Sequence, residues 1–327
     1  VDVRFVTANG VESHAPGDVP SLLDRADGFA WVDVPEPAAG ELEELADLFG
    51  FHPLALQACA ERSHVPKIHP YPDHVFLVLH APEAGAAGHV HLLELDQFVG
   101  VRYLVTLHGP LGEGVSLESA QQETNAALRR MEEGRFRPGS PAELSHAITR
   151  ALARRMELFV SSLATGIAEL ERRVMRGNLK GPEEALEEMF RVRHELLTVR
   201  TMAAQSREAC SRMNTFARFL PQESHPYVED LMNEFDRVRS TADGEKEFLQ
   251  GVVDYYESRT TTKINIAMER LALIAAVVLP INAIAGIYGM NIIVNRRTDF
   301  THLAILGGVV LLIAGTMLAW AKKHEWW

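Results

Sequence analysis

Eight positions near the end of the 327-residue chain alternate at intervals of three and four: Asn265, Met268, Ala272, Ala275, Leu279, Asn282, Gly286 and Gly289. At 3.6 residues per helical turn that spacing lays them along one stripe. The stripe combines small residues, apolar residues and two carboxamides. Most of it falls between Leu271 and Asn295, a run of 25 residues without a charge. A bilayer core takes roughly 20 apolar residues in a helix, so the run is long enough to span one. Amides at that depth serve either hydrogen bonds between neighbouring helices or the lining of a polar pathway, and spacing alone leaves both open. Pro280 removes one backbone hydrogen bond at mid-span, which a neighbouring helix or water must compensate. In the same phase Asp254 lies 11 residues before Asn265. Repeated around an axis, it would form an acidic ring that concentrates cations at the inner end.

Such a stripe needs a membrane and a support. A second charge-free run, Leu303 to Ala321, has 19 residues and ends at Lys322 and Lys323. Two spans would return the chain to the side it left. Outside this hairpin stand Arg259, Lys263, Arg270, Lys322 and Lys323, against Arg296 and Arg297 in the short connection. The positive-inside bias then puts the large N-terminal part and the tail in the cytoplasm of a cell inner or plasma membrane. Trp320, Trp326 and Trp327 suit the cytoplasmic interface. No basic-then-apolar leader opens the chain, so no secretory signal is expected.

The remaining residues read as an α+β head followed by long helices. Val3–Thr7, Phe29–Val34, His74–His80, His91–Val99 and Tyr103–Leu107 are rich in β-branched and aromatic residues and are expected as strands. Leu42, Leu45, Leu48 and Phe49 fall at helical spacing between them. The stretch Pro66 to Pro72 is expected to break regular structure. Beyond Pro141 strand signals stop: Leu144, Ile148, Leu152, Met156 and Phe159 share one face of a helix running towards Met175. A turn at Arg176–Pro182 leads into a returning helix to about Ala217. Its acidic start (Glu183, Glu184, Glu187 and Glu188) reads as a solvated face and a favourable helix N-terminus. From Pro226 no proline follows until Pro280. One helix from there to Gly289 would hold 64 residues, about 95 Å, too long for a single small core and calling for copies side by side. The expected parts are a head at 1–140, a helical hairpin at 141–225, a stalk helix and first span at 226–291, an external loop at 292–302, and a second span with its tail at 303–327.

Composition removes several function classes. The chain carries 44 acidic against 32 basic side chains, net −12, which disfavours nucleic acid as a partner. Its two cysteines exclude a disulfide framework or a cysteine-rich zinc site. No Gly-rich phosphate loop suggests nucleotide-driven pumping, and no nucleophile–base arrangement suggests an enzyme. The 14 histidines, His64, His69, His74, His80, His89 and His91 among them, have no cysteine partners or helical pair spacing and read as scattered.

Tyr288-Gly289-Met290-Asn291, closing a first span with Leu279-Pro280 and Ile284-Ala-Gly-Ile287, resembles the signature of the CorA family of divalent-cation channels. The ending Lys322-Lys-His-Glu-Trp-Trp327 and the head segments Trp31-Val-Asp-Val34, Phe51-His-Pro-Leu54, Pro66-Lys-Ile68 and Tyr103-Leu-Val-Thr106 are similar as well. The resemblance implies a homopentameric funnel: an α+β cytosolic domain, a long-helix stalk, and two transmembrane helices per chain, the first lining the pore. It implies Mg2+ as cargo, with Co2+ and Ni2+ also carried, and Zn2+ in the branch named ZntB. Gly289, Met290 and Asn291 would form the outer mouth, with Asn265 near the inner end. Met268 and Leu271 would form a hydrophobic constriction, Asp254 an acidic ring, and Ala275, Leu279 and Asn282 the wall between. Asp230 would supply one carboxylate of an inter-subunit Mg2+ sensor and Glu83 its partner. Neutral oxygens suit a tightly hydrated Mg2+, since they accept hydrogen bonds from its water shell and let the ion leave.

The chain departs from the family pattern after the motif. Ile292-Ile-Val-Asn-Arg-Arg-Thr-Asp299 replaces an acidic, proline-containing stretch, and puts Arg296 and Arg297 near the expected mouth. They would either point to lipid headgroups or discourage cations locally. Three functions follow: a Mg2+/Co2+ channel, a ZntB-like Zn2+ transporter, or a membrane-anchored structural or sensory protein that conducts nothing.

Overall fold

The fold is taken from a computed structural model that describes residues 1–112, 114–177, 182–216, 225–289 and 300–323. Met290, Asn291, Arg296, Arg297, Trp326 and Trp327 lie outside the described residues. The described chain divides into two compact units, Val1–Val252 and Val253–Trp327.

The first unit opens with β1 (Asp2–Thr7), β2 (Gly10–His14), α1 (Val19–Asp24), β3 (Gly28–Val34), α2 (Ala39–Phe49) and α3 (Pro53–Ala60). Next come β4 (Lys67–Pro70), β5 (His74–Ala84), β6 (Val90–Gly100), β7 (Tyr103–His108), α4 (Leu117–Ala120) and α5 (Gln122–Glu132). The seven strands form one sheet in the order β2-β1-β3-β7-β6-β5-β4. Every neighbouring pair is antiparallel except β3 and β7, which run parallel with Trp31 beside Leu104 and Asp33 beside Thr106. The expected strands are all present. Gly28 opens β3 because a Cβ there would stand 2.1 Å from the Val6 carbonyl oxygen.

The expectation that Pro66–Pro72 breaks regular structure is corrected by β4. This strand lies at the sheet edge, where one row of backbone groups needs no partner, so Pro70 is tolerated opposite Val75.

Strand alternation gives the sheet two covered faces. On one, Phe5, Val32, Val34, Phe76, Val78, Phe98, Val105 and Leu107 pack with Val19 and Leu22 of α1, Leu42, Leu45 and Phe49 of α2, and Ala55 and Cys59 of α3. On the other, Gln97 donates to Thr149 at 3.1 Å and accepts from Ser145 at 2.6 Å, both on α6 (Pro141–Arg176). α6 starts sharply because the Ser140 hydroxyl accepts from the Glu143 amide and Pro141 needs no donor there. It ends at Gly177, whose φ of 73° suits a residue without a Cβ. Leu144, Ile148, Leu152 and Met156 of α6 are fully buried at the expected spacing. α7 (Pro182–Phe216) follows and packs on α6 and on the β4 edge.

α8 (His225–Gly289) has 65 residues and contributes to both units. Val228, Leu231, Phe235, Val238, Ala242, Leu249 and Val252 are buried in the first unit. The second unit holds the remainder of α8 and α9 (Phe300–Lys323), whose last turn carries Lys322 and Lys323.

Candidate functional site

In the second unit burial disappears. Every residue from 261 to 272 of α8 is exposed, and Met268, Leu271, Ile274 and Leu279 are each more than half exposed. An 18-residue stretch of α8, apolar enough to cross a membrane, has none of its residues buried. Leaving a side chain of this size in water forgoes about 1.5–3 kcal/mol, so these four alone would cost on the order of 10 kcal/mol. The surface therefore requires lipid or other protein against it. Among the described residues α8 is the one helix long and apolar enough to span; α9 carries the shorter apolar run Gly307–Met317.

The expected pore residues that lie among the described ones share one helix. Asp254, Asn265, Met268, Leu271, Ala275, Leu279, Asn282 and Gly289 all belong to α8, which stays helical through Pro280. Asn265, Ala275 and Asn282 are exposed, as is Asp254. In α8 the missing Pro280 N–H removes a donor for the Ala276 carbonyl, and Asn282 is two residues away.

In the first unit Asp230 and Glu83 belong to different networks. The Asp230 carboxylate bonds His146 Nε2 at 2.8 Å, with Arg150 Nε at 4.0 Å. Arg150 also meets Glu234 at 3.4 Å, and the His146 ring lies 5.0 Å from that of Tyr227. Glu83, near the end of β5, accepts from Arg155 Nη2 at 2.5 Å and from the Ser119 hydroxyl at 3.1 Å. Arg155 is itself buried and donates further to the carbonyls of Pro82 and Ser119 and to Glu123. Burial pushes the Glu123 carboxyl up, against the pull of Arg155. Mg2+ takes hard oxygen ligands. Within one chain both carboxylates are already held by cationic or imidazole side chains, so they do not make a Mg2+ site by themselves. Among the described residues no three His, Cys, Asp or Glu side chains are grouped to hold a metal.

Spacing could not reveal His146 and Arg155 as neighbours of these carboxylates, because the pairs are 84 and 72 residues apart. Nor did it single out Asp96. That carboxylate is fully buried on β6, beside the Glu94 carboxylate and the Cys59 thiol. Burial first, and the Glu94 charge second, push its proton affinity far above the ordinary aspartate range. Burial, then Asp96, likewise pushes up the Cys59 thiol.

The head motifs also acquire a physical role. Trp31 Nε1 donates to Thr106 Oγ1 at 3.1 Å, and that hydroxyl donates to Asp33 at 2.5 Å. His108 Nε2 meets the same carboxylate oxygen at 3.1 Å.

Comparison with known proteins agrees with this architecture. The family model described as CorA-like Mg2+ transporter protein matches residues 26–323. The cobalt/magnesium transport protein CorA of Thermotoga maritima is 24% identical over 316 residues, covering 94% of this chain and 87% of that protein. The complete structure of the CorA magnesium transporter from Methanocaldococcus jannaschii superposes with a TM-score of 0.81 at 16% identity, over 100% of this chain and 99% of that one. The cytoplasmic domain of ZntB from Vibrio parahaemolyticus gives a TM-score of 0.62 at 12% identity, over 80% of this chain and 98% of that domain. These likenesses show the fold.

Proposed function

This chain belongs to the CorA-like Mg2+ transporter family, and from that premise we propose that it conducts Mg2+ into the cell through a pore lined by α8. As a member it is a divalent-cation transporter and not an enzyme. In our reading five copies surround one axis, α8 crosses the bilayer, α9 returns, and both termini stay in the cytoplasm. Co2+ and Ni2+ follow the same path.

The observation that carries the reading is the apolar length of α8, none of it buried, with Asn265 and Asn282 exposed on it. Neighbouring copies and lipid would cover the apolar surface, and a water-filled axis would receive the amides. Gly289, Met290 and Asn291 form the outer mouth in this proposal, where amide oxygens hold the ion's water shell without stripping it. Ala275, Leu279 and Asn282 line the passage, Met268 and Leu271 narrow it by dewetting, and Asp254 draws cations to its inner end. Inward movement of each charge is driven by about 2.3 kcal/mol per 100 mV of membrane potential. Arg296 and Arg297 would oppose cation entry only if they face the axis. Regulation by cytosolic Mg2+ through Asp230 at the junction of subunits belongs to the same proposal. Glu83 is the less suited partner, since Arg155 already holds it.

Proteoliposomes loaded with a Mg2+ indicator test this. Wild-type protein should take up Mg2+ under an inside-negative potential, and Asn291→Ala should lose at least about tenfold of the rate if the amide ring holds the incoming ion. Unchanged uptake in the variant would remove the pore reading and leave a non-conducting anchored protein. A second reading, implied by the resemblance to the branch named ZntB, is Zn2+ transport. Zn2+ uptake without Mg2+ uptake in the same vesicles would select it.

A further inference from the structure

Segment 61–66 joins α3 to β4, and two buried side chains of the sheet grip it by the backbone of Ser63. The Ser63 N–H donates to Glu94 Oε2 of β6 at 2.6 Å, and the Ser63 carbonyl oxygen lies 2.7 Å from His80 Nε2 of β5. A carbonyl only accepts, so Nε2 carries the hydrogen. His80 and Glu94 stand opposite each other in the β5–β6 register, with 3.7 Å between Nε2 and Oε2. Arg62 adds a bond to the Leu92 carbonyl at 3.2 Å.

Two residues further along β6, Asp96 points to the same face as Glu94. Both are buried, and their carboxyls hydrogen-bond each other. Two carboxylates offer acceptors and no donor, so that bond exists only if one of them brings a proton. Glu94 accepts from the Ser63 N–H, which favours its charged form. Asp96 instead lies opposite the apolar Val78 on β5 and Leu107 on β7. The other titratable or charged groups around the pair are His80, the Cys59 thiol of α3, which bonds Asp96, and Lys67 on β4, two strands away. Cys59 and Lys67 pull the Asp96 carboxyl down less than burial and the Glu94 charge push it up. The proton therefore belongs to Asp96.

We propose that Asp96 and Glu94 share one proton and that this proton keeps segment 61–66 clasped to the sheet. With the proton in place the buried pair carries a single charge, and Glu94 holds Oε2 on the Ser63 N–H. Without it, two like charges stand within hydrogen-bond reach in a site closed to water, which disfavours the arrangement that satisfies Ser63. Rising pH therefore loosens the clasp between the ordinary aspartate value and the raised one. The pair belongs to the first unit alone and does not depend on the pore reading.

Two measurements on the purified full chain test this. Infrared absorption separates protonated from ionised carboxyls, and labelling aspartate with 13C at the side-chain carboxyl sets aspartates apart from glutamates. At about pH 7, where ordinary aspartates are ionised, wild type should retain one protonated aspartate and Asp96→Asn none. Hydrogen exchange, corrected for the intrinsic rate at each pH, reads the clasp itself. Protection of amides 61–66 in wild type should fall by up to about tenfold per unit between about pH 5 and pH 8. Asp96→Asn can donate to Glu94 without ionising and should keep its protection across that range. Amides of β7 should stay more strongly protected than 61–66 at every pH, as local opening requires. Fully ionised aspartates in wild type at pH 7, equal pH slopes for the two proteins, or exchange of 61–66 no faster than that of β7 would each overturn the proposal.

Discussion

Thr106 donates its hydroxyl to the buried Asp33 carboxylate at 2.5 Å across the parallel junction of β3 and β7. The same oxygen accepts from Trp31 at 3.1 Å, so one side chain links two residues of the adjoining strand. This junction is the one parallel pairing in the sheet, where register cannot be set by a tight hairpin. Thr106→Val keeps the shape, removes the hydroxyl, and leaves the Trp31 N–H unpaired. It should destabilise the head by about 2–3 kcal/mol, whereas Thr106→Ser should cost less. Thermal unfolding followed by tryptophan fluorescence measures both. Equal melting temperatures for the two variants would mean that the hydroxyl bond contributes nothing.

Asp96 sets a pH dependence of opposite origin. Its carboxyl is pushed up by burial and by Glu94, so the folded head binds a proton that the unfolded chain releases near the ordinary value of about 3.9. Stability from that proton is fully present below the unfolded value and is lost as pH rises through the raised folded value. Asp96→Asn cannot ionise. It should match wild type at pH 4 and exceed it at pH 8 by on the order of 1 kcal/mol. Denaturant titrations at the two pH values decide this; a variant less stable at pH 8 would show that the ionised group has a stabilising partner.

Much of the head was legible because burial imposes periodicity. The five expected strands alternate or run apolar, as in Phe76, Val78 and Phe98 facing α2 and α3. Strand β2 was not legible: Gly10–His14 is a partly exposed, mostly polar edge with no apolar rhythm. β4 was hidden by prolines that an edge can tolerate. β5 continues past His80 to Ala84 through Pro82, whose carbonyl is taken by Arg155 rather than lost to solvent. The stripe on α8 was visible because helix geometry alone brings its members together. Neither the His146–Asp230 pair nor the grip of His80 and Glu94 on Ser63 was visible, since tertiary packing unites residues from distant segments.

Met268 gives a test of the constriction apart from the outer mouth. It is 63% exposed on α8, one turn from Asn265 and Leu271. If five thioether side chains keep the passage dry, Met268→Ser should admit water and raise basal Mg2+ flux several-fold. Stopped-flow uptake into vesicles at low internal Mg2+ measures it. A rate at or below wild type would remove Met268 from the gate.

Asp230 and His146 separate regulation from simple packing. Their bond of 2.8 Å joins α8 to α6 inside one chain, with Asp230 still partly exposed. If Asp230 is also the carboxylate that senses cytosolic Mg2+, removing either residue should act in opposite directions. Asp230→Ala deletes the ligand and should raise the Mg2+ concentration needed for closure by about tenfold or more. His146→Ala frees the carboxylate from its competitor and should lower that concentration. Inside-out patch currents across a range of bath Mg2+ give both values. If the bond serves only to pack α8 on α6, the two variants should lose thermal stability together by about 1 kcal/mol and leave the Mg2+ dependence of closure unchanged.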